Sequence, residues 1–396
     1  MKYIVIIPDG MADYPCKGLF GKTPLQVAKT PNIDALCLEG EVGLVRTVPR
    51  SMEPASDIAN LSILGYDPHR YYTGRGPLEA ANLGVKLNKD EIAFRCNLVT
   101  VEKEADKLTD YSAGHISTSE AKILISKLNK RLANEFIKFY PGVSYRHLMV
   151  IKGDEKILKL KTIPPHNIIQ EKFSENLPIG EGAEILRDII EKSYSILKED
   201  EINSVRIDLG ENPANMIWLW GQGKKLELPS FEERFGISGA VISAVDLIKG
   251  IGKTVGLRVI EVEGATGYYD TNYASKGEEA IIALKDDDFV YVHIEAPDEA
   301  GHNGDIREKI KAIERIDHFV VKKAREYFRS NAGRILILAD HFTPVELKKH
   351  CADPVPFLIS GKGINSCGIE FFDEISARKS TLRIKQGWKL MEYFLR

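Results

Sequence analysis

The chain has 396 residues, of which 43% are hydrophobic and 28% are charged, and its formal net charge is −3. This length suits two domains, and the near-neutral charge gives no reason to expect nucleic acid as a partner. The five cysteines are widely spaced without a C-x-x-C pair, which favours free thiols in a reducing cytoplasm. Because no apolar run reaches about 18 residues, we expect no membrane association and predict a cytoplasmic protein.

The first part of the chain has the pattern of an α/β domain. Apolar residues 3–8 predict a buried strand that ends at Asp9, and the segment 31–38 predicts a helix with proline at its first position. A second, short helix is predicted over 56–64, capped by Ser56 or its neighbour. The glycine- and proline-rich segment 70–84 is predicted to be a linker or crossing loop.

The pattern changes in the middle of the chain and returns near its end. The middle predicts strands over 92–102, 144–152 and 216–220, and helices over 118–131 and 181–198. After Ser238 the α/β alternation resumes. It predicts helices over 239–249, 271–285, 305–328 and 386–395, and strands over 256–262, 288–294, 334–339 and 355–359.

Three of the predicted strands end in residues that commonly bind metal ions. The carboxyl ends of parallel strands meet at one edge of a sheet, where ligands bind. The candidate ligands are Asp9, Asp298, His302, Asp340, His341 and His350. Three carboxylates and three imidazoles exceed a single tetrahedral site and fit two divalent ions, for which Mn²⁺, Mg²⁺, Co²⁺ and Zn²⁺ are all suitable.

The candidate ligands lie near the two ends of the chain, before residue 10 and after residue 297. We therefore predict one discontinuous metal-binding phosphotransfer domain over 1–79 and 226–396, interrupted by an inserted domain over 80–225. The predicted fold class is α/β, with a mostly parallel sheet flanked by helices and a smaller inserted α/β or α+β domain.

Ser56 is the candidate nucleophile, because a helix N-terminus favours a phosphate ester and a bound metal ion lowers the pKa of a hydroxyl. A plain helix cap explains the same serine fully on its own, and the nearby metal ligands are what favour the nucleophile. Arg75, Arg95 and His115 are candidates for binding a phosphorylated carboxylic acid, although each could be an ordinary surface residue. No P-loop and no G-x-G-x-x-G after a strand are present, so we expect no nucleotide.

Several longer motifs resemble the archaeal-type 2,3-bisphosphoglycerate-independent phosphoglycerate mutases of the alkaline phosphatase superfamily. They run over essentially the whole chain. They are Ile-Pro-Asp9-Gly-Met-Ala-Asp, Ala-Ser56-Asp-Ile-Ala-Asn-Leu-Ser, Tyr-Tyr-Thr-Gly-Arg75-Gly-Pro-Leu-Glu-Ala, Gly-Ala-Thr-Gly-Tyr-Tyr-Asp-Thr-Asn-Tyr, His-Ile-Glu-Ala-Pro-Asp298-Glu-Ala-Gly-His302, Ala-Asp340-His341, and His350 before Asp-Pro-Val-Pro. One departure is Ala55, where the family often has glycine.

The resemblance implies an alkaline-phosphatase-like fold and interconversion of 3-phosphoglycerate and 2-phosphoglycerate in glycolysis and gluconeogenesis, without 2,3-bisphosphoglycerate. It implies that Ser56 carries the phosphoryl group and that His115, Arg75 and Arg95 contact substrate. One ion would bind Asp9, Ser56, Asp340 and His341, and the other would bind Asp298, His302 and His350. The inserted domain would close over the site.

Two alternatives remain open at this stage. The same site could hydrolyse phosphomonoesters or act like a phosphonopyruvate decarboxylase, or the chain could be a metal-stabilised binding protein without catalysis. Homo-oligomerisation is also left open.

Overall fold

A computed structural model describes residues 1–396. The strands are β1 (Lys2–Pro8), β2 (Glu41–Val45), β3 (Glu91–Glu102), β4 (Lys107–Asp110), β5 (Ile137–Val143), β6 (Arg146–Lys152), β7 (Met216–Lys224), β8 (Gly239–Ile242), β9 (Arg258–Ile260), β10 (Phe289–Ile294), β11 (Gly333–Leu338), β12 (Val355–Gly361) and β13 (Arg383–Ile384).

The α-helices are α1 (Pro24–Val27), α2 (Pro31–Glu39), α3 (Ser56–Ile63), α4 (Pro68–Tyr71), α5 (Arg75–Asn82), α6 (Thr118–Leu132), α7 (Glu155–Leu158), α8 (Ala183–Leu197), α9 (Glu201–Asp208), α10 (Phe231–Phe235), α11 (Asp246–Thr254), α12 (Tyr273–Asp286), α13 (Ala296–Asn303), α14 (Ile306–Ile316), α15 (Lys322–Ser330), α16 (Glu374–Ala377) and α17 (Leu390–Leu395). A π-helical turn, Asp317–Val321, joins α14 to α15, so the single helix predicted over 305–328 is interrupted there. None of these helices is long and apolar enough to cross a membrane.

The chain forms two compact units, and the first is discontinuous. The first unit contains Met1–Tyr72 and Leu228–Arg396, and the second contains Thr73–Glu227. Residues 73–79 and 226–227 were expected in the first unit and belong to the second. For residues 73–79 the reason is that α5 packs against β3 and β7.

The first unit is built on an eight-stranded sheet in the order β13-β2-β12-β11-β1-β10-β8-β9. Strand β12 is antiparallel to both of its neighbours, and every other pair in the sheet is parallel. Strands β10 and β11 are buried at every residue, as their Val- and Ile-rich sequences predict for strands covered on both faces. The predicted α/β class with a mostly parallel sheet flanked by helices is confirmed.

Two predictions of local structure are wrong. Residues 239–242 form β8, which pairs with β10, and the helix begins only at Asp246. A short apolar run gives no period that separates a buried strand from a helix. The predicted loop 70–84 contains α5, whose proline lies in the first turn, where a missing N–H costs nothing. Gly76 brings that helix directly against the backbone of Ala93 on β3.

The second unit has a five-stranded antiparallel sheet with β3 at its centre. Strand β3 pairs with β4, β6 and β7, and β6 also pairs with β5. Helices α6 and α8 cover one face of this sheet, and their apolar residues join a core that includes Phe94, Leu98 and Trp218. The unit therefore has a hydrophobic core of its own.

Candidate active site

The sheet of the first unit brings the three predicted ligand-bearing strand ends together. Strand β1 lies between β10 and β11 and is parallel to both, with Ile7 opposite His293 and Ile6 opposite Ile337. The carboxyl ends of the three strands consequently share one edge. Asp9 follows β1, α13 follows β10, and Asp340-His341 follows β11.

The first ligand group consists of Asp9, Asp340 and His341, all of which are buried. His341 Nε2 lies 3.5 Å from Asp9 Oδ1 and 3.4 Å from Asp340 Oδ2. The backbone N–H of Gly10 donates to Asp340 Oδ1 at 3.0 Å. Asp9 Oδ1 has no hydrogen-bond donor, although it is buried. A buried carboxylate oxygen of this kind is costly unless a cation binds it.

The second ligand group lies on α13 and the segment after β11. His302 Nε2 is 3.3 Å from Asp298 Oδ2 and 2.8 Å from His350 Nε2, and His350 Nε2 is 3.4 Å from Asp298 Oδ1. Ligand atoms of Asp298, His341 and His350 all lie within 4.8 Å of one another, so His341 borders both groups. The structure thus brings all six predicted ligands together.

The charges of the site favour cation binding. Burial raises the pKa of Asp9 well above its usual value, and the nearby carboxylates of Asp340 and Asp298 raise it further. Burial lowers the pKa of His341 to about 4, which leaves the imidazole neutral at pH 7. A neutral imidazole is the form that binds a metal ion. The donor set of carboxylate and imidazole atoms therefore fits divalent ions of the Mn²⁺, Mg²⁺, Co²⁺ and Zn²⁺ type.

Ser56 lies at the first ligand group, where helix α3 begins. The helix cap is Ala55, whose side chain offers no acceptor, so the prediction that Ser56 or its neighbour caps the helix falls on the neighbour. The Ser56 side chain makes no capping hydrogen bond and contacts the first ligand group, where its Oγ lies 3.1 Å from His341 Nε2.

Asn60 and Tyr291 hold this serine in place, and neither was predicted. Asn60 Nδ2 donates to the Ser56 carbonyl at 2.8 Å and to Asp340 Oδ2 at 2.9 Å. Tyr291 on β10 in turn donates to Asn60 Oδ1 at 2.5 Å. The start of α3 is thereby connected to strand β10 and to the segment that follows β11. The Ser-Asp-x-Ala-Asn spacing, with Asn60 four residues after Ser56, was the only sequence signal for this contact.

Asp9 is the first member of a buried chain of ion-pair contacts that continues through His293 and Glu295 to Lys276. His293 Nε2 lies 3.3 Å from Asp9 Oδ2, and His293 Nδ1 lies 3.1 Å from Glu295 Oε1. Lys276 Nζ lies 2.9 Å from Glu295 Oε2. Burial opposes ionisation of Glu295, but Lys276 and His293 together hold its pKa well below the usual range. Glu295 and His293 were not predicted from the sequence.

We expect Lys276→Met to destabilise the protein strongly. The side chains of Lys276 and Glu295 are 0% and 4% exposed, so the substitution leaves a buried carboxylate without its main counter-ion. Breaking a buried pair in this way costs about 3–5 kcal/mol in the free energy of unfolding, which urea denaturation measures. The control is Lys249→Met, whose partner Glu261 is 73% exposed and whose loss costs about 1 kcal/mol or less. Equal costs for the two substitutions would contradict the expectation.

Two predicted substrate residues, Arg75 and Arg95, meet in the second unit. Their guanidinium carbons lie 5.7 and 4.5 Å from the ring centre of Trp220. Arg95 Nε pairs with Glu79 at 3.0 Å. Burial lowers the pKa of Arg95 to about 10, Glu79 opposes that shift, and the positive charges of Arg75 and Arg146 add to it. Arg146, which was not predicted, therefore belongs to the same basic cluster.

His115, the third predicted substrate residue, lies beside aromatic rings of the same unit. Its ring centre is 6.1 Å from that of Tyr145, over which Arg146 also lies at 5.7 Å. His115 is connected to the basic cluster through Tyr145 and Arg146. The cluster and His115 form a basic, aromatic-lined surface of a kind that suits a small anion.

The fold and the site define an α/β protein with a candidate two-ion centre and a serine at a helix N-terminus. A family model described as 2,3-bisphosphoglycerate-independent phosphoglycerate mutase matches residues 38–203. The 2,3-bisphosphoglycerate-independent phosphoglycerate mutase 2 from Methanothermobacter thermautotrophicus is 49% identical to this chain. The match covers 100% of this chain and 97% of the relative. The enzyme from Methanosarcina barkeri is 50% identical over 99% of this chain and 98% of its own.

The chain belongs to the 2,3-bisphosphoglycerate-independent phosphoglycerate mutase family, and the predictions of that family and of an isomerase are confirmed. Solved structures agree. A protein from Pyrococcus horikoshii is 32% identical with a TM-score of 0.82, covering 100% of this chain and 96% of its own. The cofactor-independent phosphoglycerate mutase from Thermoplasma acidophilum is 27% identical, with a TM-score of 0.67. The match covers 100% of this chain and 99% of the Thermoplasma chain.

Proposed function

We propose that this chain interconverts 3-phosphoglycerate and 2-phosphoglycerate through a phosphoserine at Ser56. The observation that carries the proposal is the position of Ser56 Oγ, 3.1 Å from His341 Nε2 where the ligand groups meet. The names of the relatives above support the substrate. The reaction takes place in glycolysis and gluconeogenesis, and the reduced cysteines inferred from sequence suit a cytoplasmic enzyme.

Two divalent ions would be held by the six ligands and Ser56. One would bind Asp9, Asp340, His341 and the serine, and the other would bind the second ligand group, Asp298, His302 and His350. When bound, such ions neutralise charge on a transferring phosphoryl group and lower the pKa of a serine hydroxyl.

The residues of the chain then position two successive transfers. Ser56 Oγ loses its proton and forms a bond to the substrate phosphorus, while the bond from phosphorus to the glycerate oxygen breaks and that oxygen takes up a proton. Glycerate remains bound and reorients. Its other hydroxyl then loses a proton and takes the phosphoryl group back, and the serine oxygen regains a proton. The contacts of Asn60 to Ser56 and Asp340 keep the nucleophile fixed during both steps. Catalysis of this kind depends on positioning and electrostatics.

Arg75, Arg95 and His115 would bind the carboxylate or phosphate of the substrate, as guanidinium groups suit both. We expect Arg75→Lys to raise KM about tenfold, since lysine keeps the charge and loses the bidentate fork. Steady-state kinetics with 3-phosphoglycerate measures this. The control is Arg187→Lys in the same unit, whose Nε donates to the Pro178 carbonyl and whose KM should stay at the wild-type value. An unchanged KM for Arg75→Lys would remove this residue from the substrate site.

Product analysis tests the proposed function against its nearest alternative. The protein is incubated with 3-phosphoglycerate and Mn²⁺, and the products are resolved by ³¹P NMR. The proposal predicts accumulation of 2-phosphoglycerate up to equilibrium with little inorganic phosphate. Release of inorganic phosphate without the 2-phospho isomer would show a phosphomonoesterase, and absence of turnover would overturn the catalytic assignment.

A further inference from the structure

The side chain of Thr343 lies between the two ligand groups and touches both. Its Oγ1 donates a hydrogen bond to Asp298 Oδ1, and the same oxygen lies 3.2 Å from His341 Nδ1. Thr343 is completely buried. It is two residues beyond His341, and none of the roles described so far includes it.

The Thr343 hydroxyl can donate only one hydrogen bond, and this determines which nitrogen of His341 carries the proton. A threonine hydroxyl has one hydrogen, and an ionised carboxylate can only accept hydrogen bonds. The Asp298 carboxylate lies against two imidazoles, with His302 Nε2 at 3.3 Å from Oδ2 and His350 Nε2 at 3.4 Å from Oδ1, and its Oδ1 accepts from the Thr343 hydroxyl. The Thr343 hydrogen therefore points to Asp298, so the hydroxyl oxygen must accept from His341. His341 Nδ1 is consequently the protonated nitrogen.

This tautomer leaves the other nitrogen of His341 with a lone pair. That nitrogen, Nε2, faces Asp9 Oδ1, Asp340 Oδ2 and Ser56 Oγ at 3.1–3.5 Å. It is the atom that a metal ion in the first ligand group requires. A partner that fixes the tautomer of a histidine ligand is a common support of metal sites.

Packing around Thr343 leaves the hydroxyl little freedom to move. A Cβ added to Gly10, which has a φ of +58°, would collide with both Thr343 Oγ1 and Asp298 Oδ1. A Cβ added to Gly301 would collide with the Thr343 carbonyl, methyl and Cβ. The backbone is fixed as well, since the carbonyl accepts from the buried Lys309 Nζ at 2.8 Å.

We propose that Thr343 is a positioning residue that couples the two ligand groups. Its single hydroxyl orients Asp298, and it also holds His341 in the tautomer whose Nε2 can bind an ion. The proposal rests on the metal site of the proposed function. It assigns Thr343 no contact with substrate.

Calorimetric titration of the metal-free protein with MnCl₂ tests the proposal without an activity assay. Thr343→Val keeps the shape of the side chain and removes the hydroxyl, and we expect it to weaken Mn²⁺ binding about 10- to 100-fold. Thr343→Ser keeps the hydroxyl and should bind Mn²⁺ within about threefold of wild type. Excess Mn²⁺ should restore much of the kcat of the valine variant, with KM for 3-phosphoglycerate little changed.

The matched control is Thr23→Val. Thr23 is also completely buried, and its hydroxyl donates to a buried carboxylate, Glu374 Oε2, at 2.6 Å, with no contact to a metal ligand. It should lose stability without a change in Mn²⁺ affinity. A folded Thr343→Val protein with wild-type Mn²⁺ affinity would overturn the proposal. If wild type itself bound no Mn²⁺, the metal site of the proposed function would fail instead.

A second measurement on the wild-type protein does not depend on whether the variant folds. Nitrogen-15 NMR of histidine-labelled, metal-free protein distinguishes the two neutral tautomers of an imidazole. His341 should show a proton on Nδ1, and Thr343→Val should shift it toward a mixture. A proton found on Nε2 of His341 in the wild-type protein would overturn the proposal.

Discussion

Ser56→Ala is expected to reduce kcat for the interconversion of 3-phosphoglycerate and 2-phosphoglycerate by about 10⁴-fold or more, because it removes the atom that carries the phosphoryl group. KM for 3-phosphoglycerate should change little, since the residues proposed to bind substrate are Arg75, Arg95 and His115. The free energy of unfolding should also change little, because Ser56 does not cap α3. Coupled steady-state assays and urea denaturation measure these quantities.

The control for this substitution is Ser62→Ala on the same helix. Ser62 is completely buried, and its Oγ has no hydrogen-bond partner. Loss of this hydroxyl should leave kcat near the wild-type value. A Ser56→Ala enzyme that keeps near-normal turnover would exclude Ser56 as the nucleophile.

Removal of divalent ions is expected to abolish turnover, and added Mn²⁺ should restore it. The ligand groups place the buried carboxylates of Asp9, Asp340 and Asp298 close together, and bound divalent ions would compensate their negative charge. Metal binding should also stabilise the fold, by about 2.7 kcal/mol at a free ion concentration of 100 times Kd. Activity assays and thermal melts after chelation and readdition measure both effects.

His350→Ala serves as a comparison that removes one ligand without chelation. We expect it to raise the Mn²⁺ concentration needed for half-maximal activity, because His350 is a member of the second ligand group. The Tm of the metal-free variant should match that of metal-free wild type within a few degrees. Full activity in the presence of excess chelator would contradict a metal-dependent mechanism.

The strand-end ligands could be predicted because their signal is local in the sequence. A run of buried strand residues followed at once by Asp or by Asp-His leaves a polar group at the edge of a parallel sheet, as at Asp9 and Asp340. The parallel arrangement of β1, β10 and β11 then brings the ligands together. Ser56 could be predicted for a similar reason, since it lies at the N-terminus of a predicted short helix, which is a local sequence signal.

The supporting residues could not be predicted, because their roles depend on contacts between distant parts of the chain. Tyr291 bonds to Asn60 across 231 residues, and Thr343 bonds to Asp298 across 45. Nothing beside Tyr291 in the sequence distinguishes it from any other tyrosine in a buried strand. The sequence likewise could not distinguish strand β8 from a helix, since its four residues are apolar throughout.

The most direct test is to identify the residue that carries phosphate during turnover. The enzyme is mixed with 3-phosphoglycerate and Mn²⁺, quenched in acid within milliseconds to seconds, digested and analysed by peptide mass spectrometry. We predict phosphate on the peptide that contains Ser56, appearing before 2-phosphoglycerate reaches equilibrium and absent from the Ser56→Ala protein. Accumulation of 2-phosphoglycerate with no phosphate on Ser56 at any time would contradict the proposed mechanism.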